Sequence, residues 1–159
     1  MQVKISYFYQ IRFFLPYMIP MSTCVSDPEW YHDWGGPNHV FTDKRGILNG
    51  LRLLPVIVQG EHETCGCPCQ AKDPAQCSFL QNYQLNLKQI DFQSMHQDML
   101  SFTQRYCEQH NINHEPIAVL IVYETPKNKC SERDSLIQLF QNHNIPCEEL
   151  KYPISPDDY

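Results

Sequence analysis

Residues 117–124 read IAVLIVYE, an almost continuous apolar run that turns polar only at Tyr123 and Glu124. A strand with one wet face shows a polar residue at every second position. A strand covered on both faces does not, and that is the situation of a central strand in a parallel sheet packed under helices. The run leads through the polar loop TPKNKC into SERDSLIQLFQNHN, residues 131–144. There Leu136, Ile137 and Phe140 fall on one helical face, and Ser131 followed by Asp134 reads as a capping-box-like start.

The same logic extends to the rest of the chain. Residues 3–11, VKISYFYQI, are rich in β-branched and aromatic residues and read as a first strand. MIPMSTCV, residues 18–25, reads as a second. Residues 29–46 hold both tryptophans and a Gly-Gly turn, and read as a loop or lid. GLRLLPVIVQG, residues 50–60, is apolar but broken by Pro55, so it reads as an irregular strand or extended segment. Two helical spacings follow. The first is Phe79, Leu80, Tyr83 and Leu87; the second is Phe92, Met95, Met99, Phe102 and Tyr106, with Asp91 as its N-cap. CEELKYPI, residues 147–154, reads as the last strand. Residues 155–159 read as a polar tail. This order predicts one α/β domain over residues 1–154, with a Rossmann-like, mostly parallel sheet flanked by helices.

Composition narrows the function. The 159 residues suit one domain with a core of its own. The net charge of −6 argues against non-specific nucleic-acid binding, which needs a cationic surface to release counterions. The apolar N-terminal stretch is interrupted by Gln10 and Arg12, lacks a small-residue cleavage site and is too short and polar to span a bilayer. The expectation is a cytoplasmic protein with no membrane association, whose thiols stay reduced.

That bears on ETCGCPCQAKDPAQC, residues 63–77, which holds Cys65, Cys67, Cys69 and Cys77 of the chain's eight cysteines. Thiolates so close together suit a tetrahedral Zn²⁺ site, with Gly66 and Pro68 allowing tight turns and Cys77 at the start of the next helix. His62 is a fifth candidate for four places. A disulfide, an iron–sulfur centre and free thiols are the alternatives. Four protein ligands would close the site to substrate, so the zinc would be structural and residues 63–80 a cysteine-rich knuckle inserted in the domain.

Chemistry is then expected elsewhere. Ligands of open α/β sheets bind beyond the carboxyl ends of the strands, and amides at a helix start favour anions. Cys130, Ser131 and Arg133 sit at such a junction. Arg133 suits a phosphate or carboxylate. Cys130 suits a reactive thiolate. Glu124 suits a general base, or a partner that merely holds Arg133. Ser22 ends the second strand. Arg52 is a scarce cation in an acidic chain. Tyr7, Trp30 and Tyr31 could stack on a base or sugar ring. Each has a plainer reading as a cap, a solvated charge or core packing. Cys107 and Cys147 read as buried small hydrophobes.

The stretch VYETPKNKCSER, residues 122–133, with ISYFYQI, MIPMSTC and PEWYHD nearer the N-terminus, resembles the domain-of-unknown-function 488 family. That family has a Ser-Tyr-Phe strand, an Ile-Pro-Ile-Ser-like strand and a Trp-Tyr. A Tyr-Glu-Lys-Pro-like strand end and a Cys-His-Arg motif follow. Here Tyr123, Glu124, Pro126, Cys130 and, one residue on, Arg133 match; CSER stands where the family has Cys-His-Arg. The resemblance covers both ends of the chain. It implies a Rossmann-like fold and a pocket around Tyr123, Glu124, Cys130 and Arg133, without an established reaction. Three functions remain open: an enzyme acting on nucleotides or nucleic-acid components, a non-catalytic module holding a nucleotide or other anionic small molecule, and a zinc-stabilised domain that binds a protein partner.

Overall fold

The structure is a computed structural model, and it describes residues 1–23, 74–122, 126 and 130–151. The described elements run β1 (Gln2–Tyr7), a 3-10 helix (Phe8–Phe13), β2 (Met18–Ser22), a short 3-10 turn (Pro74–Gln76), α1 (Ser78–Leu87), α2 (Phe92–Gln109), β3 (Ile117–Val122), α3 (Arg133–Asn142) and β4 (Cys147–Glu149). The strands form one four-stranded sheet of order β2-β3-β1-β4, and every pairing is parallel. The fold is therefore α/β, as the apolar run at 117–122 implies. β3 lies between two neighbours, and Ala118 through Val122 are all 0% exposed. β1 is the other interior strand, with Val3 and Ile5 in the core.

The first strand stops at Tyr7, not at residue 11 as its composition suggests. Phe8, Ile11 and Phe14 recur every third residue and are buried, whereas Tyr9 between them is 39% exposed. Three residues per turn is the 3-10 repeat, so these apolar side chains share one face. The geometry also fits the connection. β1 and β2 are parallel, so the chain must return about 16 Å, the length of a six-residue strand. Six residues of 3-10 helix cover about 12 Å of that, and the following extended residues cover the rest.

α2 buries Phe92, Met95, Met99, Thr103 and Tyr106, the i, i+3, i+4 stripe of an amphipathic helix. Asp91 caps it, accepting a hydrogen bond from Ser94 N–H at 3.0 Å, as expected. α1 packs on α3, with Gln84 Nε2 donating to Ser135 Oγ at 3.3 Å. α2 and α3 meet through Phe92, which stacks on His143 at 3.8 Å and meets Phe140 edge-on at 5.1 Å.

α2 and α3 end alike. His-Asn-Ile occurs at 110–112 and again at 143–145, and both asparagines are left-handed, Asn111 with φ 53° and Asn144 with φ 59°. Ile112 N–H donates to Cys107 O at 2.9 Å and Asn111 N–H to Glu108 O at 3.4 Å. Ile145 N–H donates to Phe140 O and Asn144 N–H to Gln141 O, each at 3.0 Å. These are two Schellman motifs, and in each the following isoleucine packs against the core. Among the described residues no helix is long and apolar enough to cross a membrane.

Candidate functional site at the carboxyl edge of the sheet

In an all-parallel sheet every strand ends at the same edge. Here the ends are Tyr7, Ser22, Val122 and Glu149. Register sets Tyr7 beside Val122 and Ser22 beside Ile121. The chain leaves β1 for β2 on the far side of β3, and leaves β3 for β4 on the far side of β1. Under the right-handed crossover rule, connections running in opposite directions along a sheet lie on opposite faces. The ends of β1 and β3 thus meet the description of a switch point, where open α/β sheets part to admit ligands.

The side chains at this edge are buried and mostly polar. Tyr7 is 2% exposed, and its hydroxyl accepts from Gln10 Nε2 at 3.0 Å. Its ring is thus enclosed rather than presented for stacking. Ser22 and Thr23 are buried. Thr23 donates both its N–H and its hydroxyl to Ile121 O, each at 3.0 Å, extending the β2–β3 ladder past Ser22.

Cys130, Ser131, Glu132 and Arg133 are all buried at the entrance to α3. The capping box expected from Ser131 and Asp134 does not form. The N-cap position belongs to Glu132, which is already in right-handed helical conformation and makes no side-chain cap. Ser131 lies one residue too early, and its hydroxyl accepts from Arg133 N–H at 3.3 Å instead.

Arg133 has a partner that sequence reasoning did not name. Its Nε donates to Glu149 Oε2 at 3.0 Å and its Nη2 to Glu149 Oε1 at 3.5 Å, a two-point contact that ties the start of α3 to the end of β4. The two ends of the pair differ in exposure, 8% for the Arg133 side chain and 31% for that of Glu149. Burial raises the Glu149 carboxyl above its ordinary pKa, and the charge and hydrogen bonds of Arg133 only partly offset this. Alternation along β4 sends the preceding Glu148 elsewhere. It is ion-paired with Lys4 on β1, whose hydrogen bond holds that carboxyl below the ordinary value. The period-two pattern of CEEL could have separated the two glutamates, but nothing local couples Glu149 to Arg133, sixteen residues away.

Of the residues expected to bind ligand or act chemically, Tyr7, Ser22, Cys130, Ser131 and Arg133 are thus assembled at one edge. Trp30, Tyr31, Arg52, Tyr123 and Glu124 lie outside the described residues, as do Cys65, Cys67, Cys69 and His62. Cys77 is the one of the four clustered cysteines that lies within the described residues. It is fully buried and caps α1, its Sγ accepting from Leu80 N–H at 3.5 Å. Among the described residues no three His, Cys, Asp or Glu side chains converge to hold a metal. Cys77, Cys107, Cys130 and Cys147 are not in disulfides. Burial pushes the Cys147 thiol up to about 12 and raises that of half-buried Cys107, which suits packing rather than reactivity.

Two cavities lined by described residues open at the opposite, amino edge. One of about 510 Å³ lies between the end of α2 and Met1. The other, of about 460 Å³, lies between β1, β4 and the end of α3. The first is lined by Thr103, Gln104, Cys107, Glu108 and His114 beside apolar side chains, and the second by Lys4, Cys147 and Glu148. Comparison with protein-family models, with curated proteins and with solved structures returned no match.

Proposed function

We propose that this chain binds a nucleotide or another phosphorylated or anionic small molecule at the carboxyl edge of its sheet. The observation that carries the reading is the convergence of Tyr7, Ser22, Cys130, Ser131 and Arg133, distant in sequence, on the edge where β1 and β3 end side by side. A helix start offers amide donors there, and a buried guanidinium lies within the first turn of the same helix. Trp30 and Tyr31 would stack on a base or sugar, and Arg52 would add a second cationic contact. If the ligand is turned over as a nucleotide or nucleic-acid component, Glu124 would be the general base and Cys130 a reactive thiolate. Without turnover the same site is a sequestering module.

Kinship with the domain-of-unknown-function 488 family and a Rossmann-like arrangement belong to this reading. They are supported by the CSER junction and by a parallel sheet whose interior strand precedes it. So does a structural zinc on Cys65, Cys67, Cys69 and Cys77, supported by the buried cap position of Cys77. The reading is of a cytoplasmic protein.

The test is native mass spectrometry of the full chain with a mixture of nucleotides and phosphorylated metabolites. Retention of one class, lost in Arg133→Ala and reduced in Ser131→Ala with far-ultraviolet dichroism unchanged, is the expected result. A ligand recovered intact identifies a module, and a processed one an enzyme. Unchanged retention in both variants would place the ligand elsewhere.

A further inference from the structure

We infer that Glu149 is a built-in competitor for the anion site, occupying Arg133 until a ligand displaces it. The inference rests on the reading of the carboxyl edge as an anion site and concerns how that site is regulated. A buried guanidinium offers only a few directions of approach. Glu149 already makes the two-point contact, through Nε at 3.0 Å and Nη2 at 3.5 Å, that a phosphate or carboxylate ligand would make.

Exposure shows which partner faces the solvent. The Arg133 side chain is 8% exposed and that of Glu149 is 31% exposed, so the carboxylate approaches the cation from the wetter side. Burial works against the charged carboxylate, and Arg133 only partly offsets it. Glu149 is also the final residue of the shortest strand, β4, at the sheet's edge. Displacing its side chain need not break the β1 pairing, which runs through backbone atoms.

A ligand anion would exchange one carboxylate for another charge on the same guanidinium. The released Glu149 would then face solvent, where ionisation costs nothing. The apparent affinity of any anion is thereby lowered by the cost of expelling Glu149. Ligands with a second contact, such as stacking against an aromatic ring, would overcome that cost, whereas free inorganic anions would bind poorly. The device would select against simple anions.

The experiment uses the full chain, with inorganic phosphate and adenosine monophosphate as probes, titrated by calorimetry. Glu149→Gln keeps the shape and an acceptor oxygen but removes the competing charge. It is expected to tighten phosphate by about tenfold, the equivalent of one charge-assisted contact. Because that variant could lose stability, wild type is followed in parallel by NMR. On phosphate saturation the Arg133 Nε–H and Glu149 carboxylate resonances should both shift, as the contact between them is exchanged. If wild type binds either probe while Glu149→Gln binds equally or more weakly, and the Glu149 resonance stays put, the competitor role is wrong and the anion site stands. If neither protein binds either probe at millimolar concentration, the anion site itself falls, and this inference with it.

Discussion

The two left-handed asparagines invite a substitution series. Asn144 has φ 59° at the turn between α3 and β4, and its N–H and that of Ile145 close the last turn of the helix. An L-residue in this conformation costs about 1–2 kcal/mol from Cβ crowding, a cost that asparagine meets in part and glycine escapes. Asn144→Ala should therefore destabilise by about 1 kcal/mol, and Asn144→Val by about 2 kcal/mol, since β-branching makes the left-handed region still less accessible. Asn144→Gly should be neutral or stabilise by about 0.5 kcal/mol, the gain in the turn being offset by the freer unfolded chain. For a chain of this size, 1 kcal/mol corresponds to about 2–4 °C in Tm.

The assay is urea unfolding by circular dichroism, with the slope on denaturant unchanged across the series. Asn111→Gly and Asn111→Ala form an independent copy of the experiment, because Asn111 has φ 53° and the same hydrogen-bond pattern at the end of α2. The sites lie at the ends of different helices, so the effects should add. The order Gly ≥ Asn > Ala > Val is the content of the argument. An alanine variant as stable as wild type together with a destabilised glycine variant, at both sites, would refute it.

Further expectations follow from other parts of the molecule. Met99→Ala, at a side chain with 0% exposure in the α2 stripe, should cost about 2–5 kcal/mol in the same unfolding assay. Cys147, with its thiol pushed up to about 12, should resist iodoacetamide in the native chain at neutral pH and react once urea unfolds it, read by peptide mass spectrometry. Glu149 should titrate by carbon-13 NMR above the ordinary glutamate value. Its folded pKa is raised, so its contribution to stability is present below the unfolded pKa and lost as pH rises through the folded one; Glu149→Gln should remove that slope. Protein purified without added metal should carry stoichiometric zinc by elemental analysis. Sub-stoichiometric metal, with Cys65, Cys67, Cys69 and Cys77 all open to alkylation after mild unfolding, would dismiss the knuckle.

How much of this was legible in the sequence depended on the range of the interactions. β3 was legible because burial on both faces needs an unbroken apolar run, and IAVLIV supplies one. α2 and its Asp91 cap were legible because the 3.6-residue stripe and the cap chemistry are both local. The 3-10 helix was obscured by composition, since Phe8, Tyr9 and Ile11 are all strand formers. Its three-residue spacing is present in the sequence, but strand-forming residue types mask it. Ser131 lies one position before the N-cap, a difference local rules do not resolve because hydroxyl caps and hydroxyl turns draw on the same residue types.

Arg133 shows where sequence reading reaches its limit. A cation just inside a helix that follows a buried strand can be read as an anion ligand from local rules alone. Its actual partner depends on the parallel β1–β4 pairing, which aligns Ile5 with Glu149 and so fixes how far β4 extends toward the start of α3. No local pattern encodes that alignment; it follows from sheet order. Had β4 paired one residue out of register, alternation would have given Glu148 the inward place and turned Glu149 toward Lys4. The acidic pair in CEEL therefore suits either register electrostatically, and the apolar neighbours decide. Cys147 is buried at 2% beside Val3, whereas either glutamate in that place would bury a charge. The position of a small thiol thus sets the register, the register sets which glutamate meets Arg133, and that contact is the one the proposed anion ligand would have to displace.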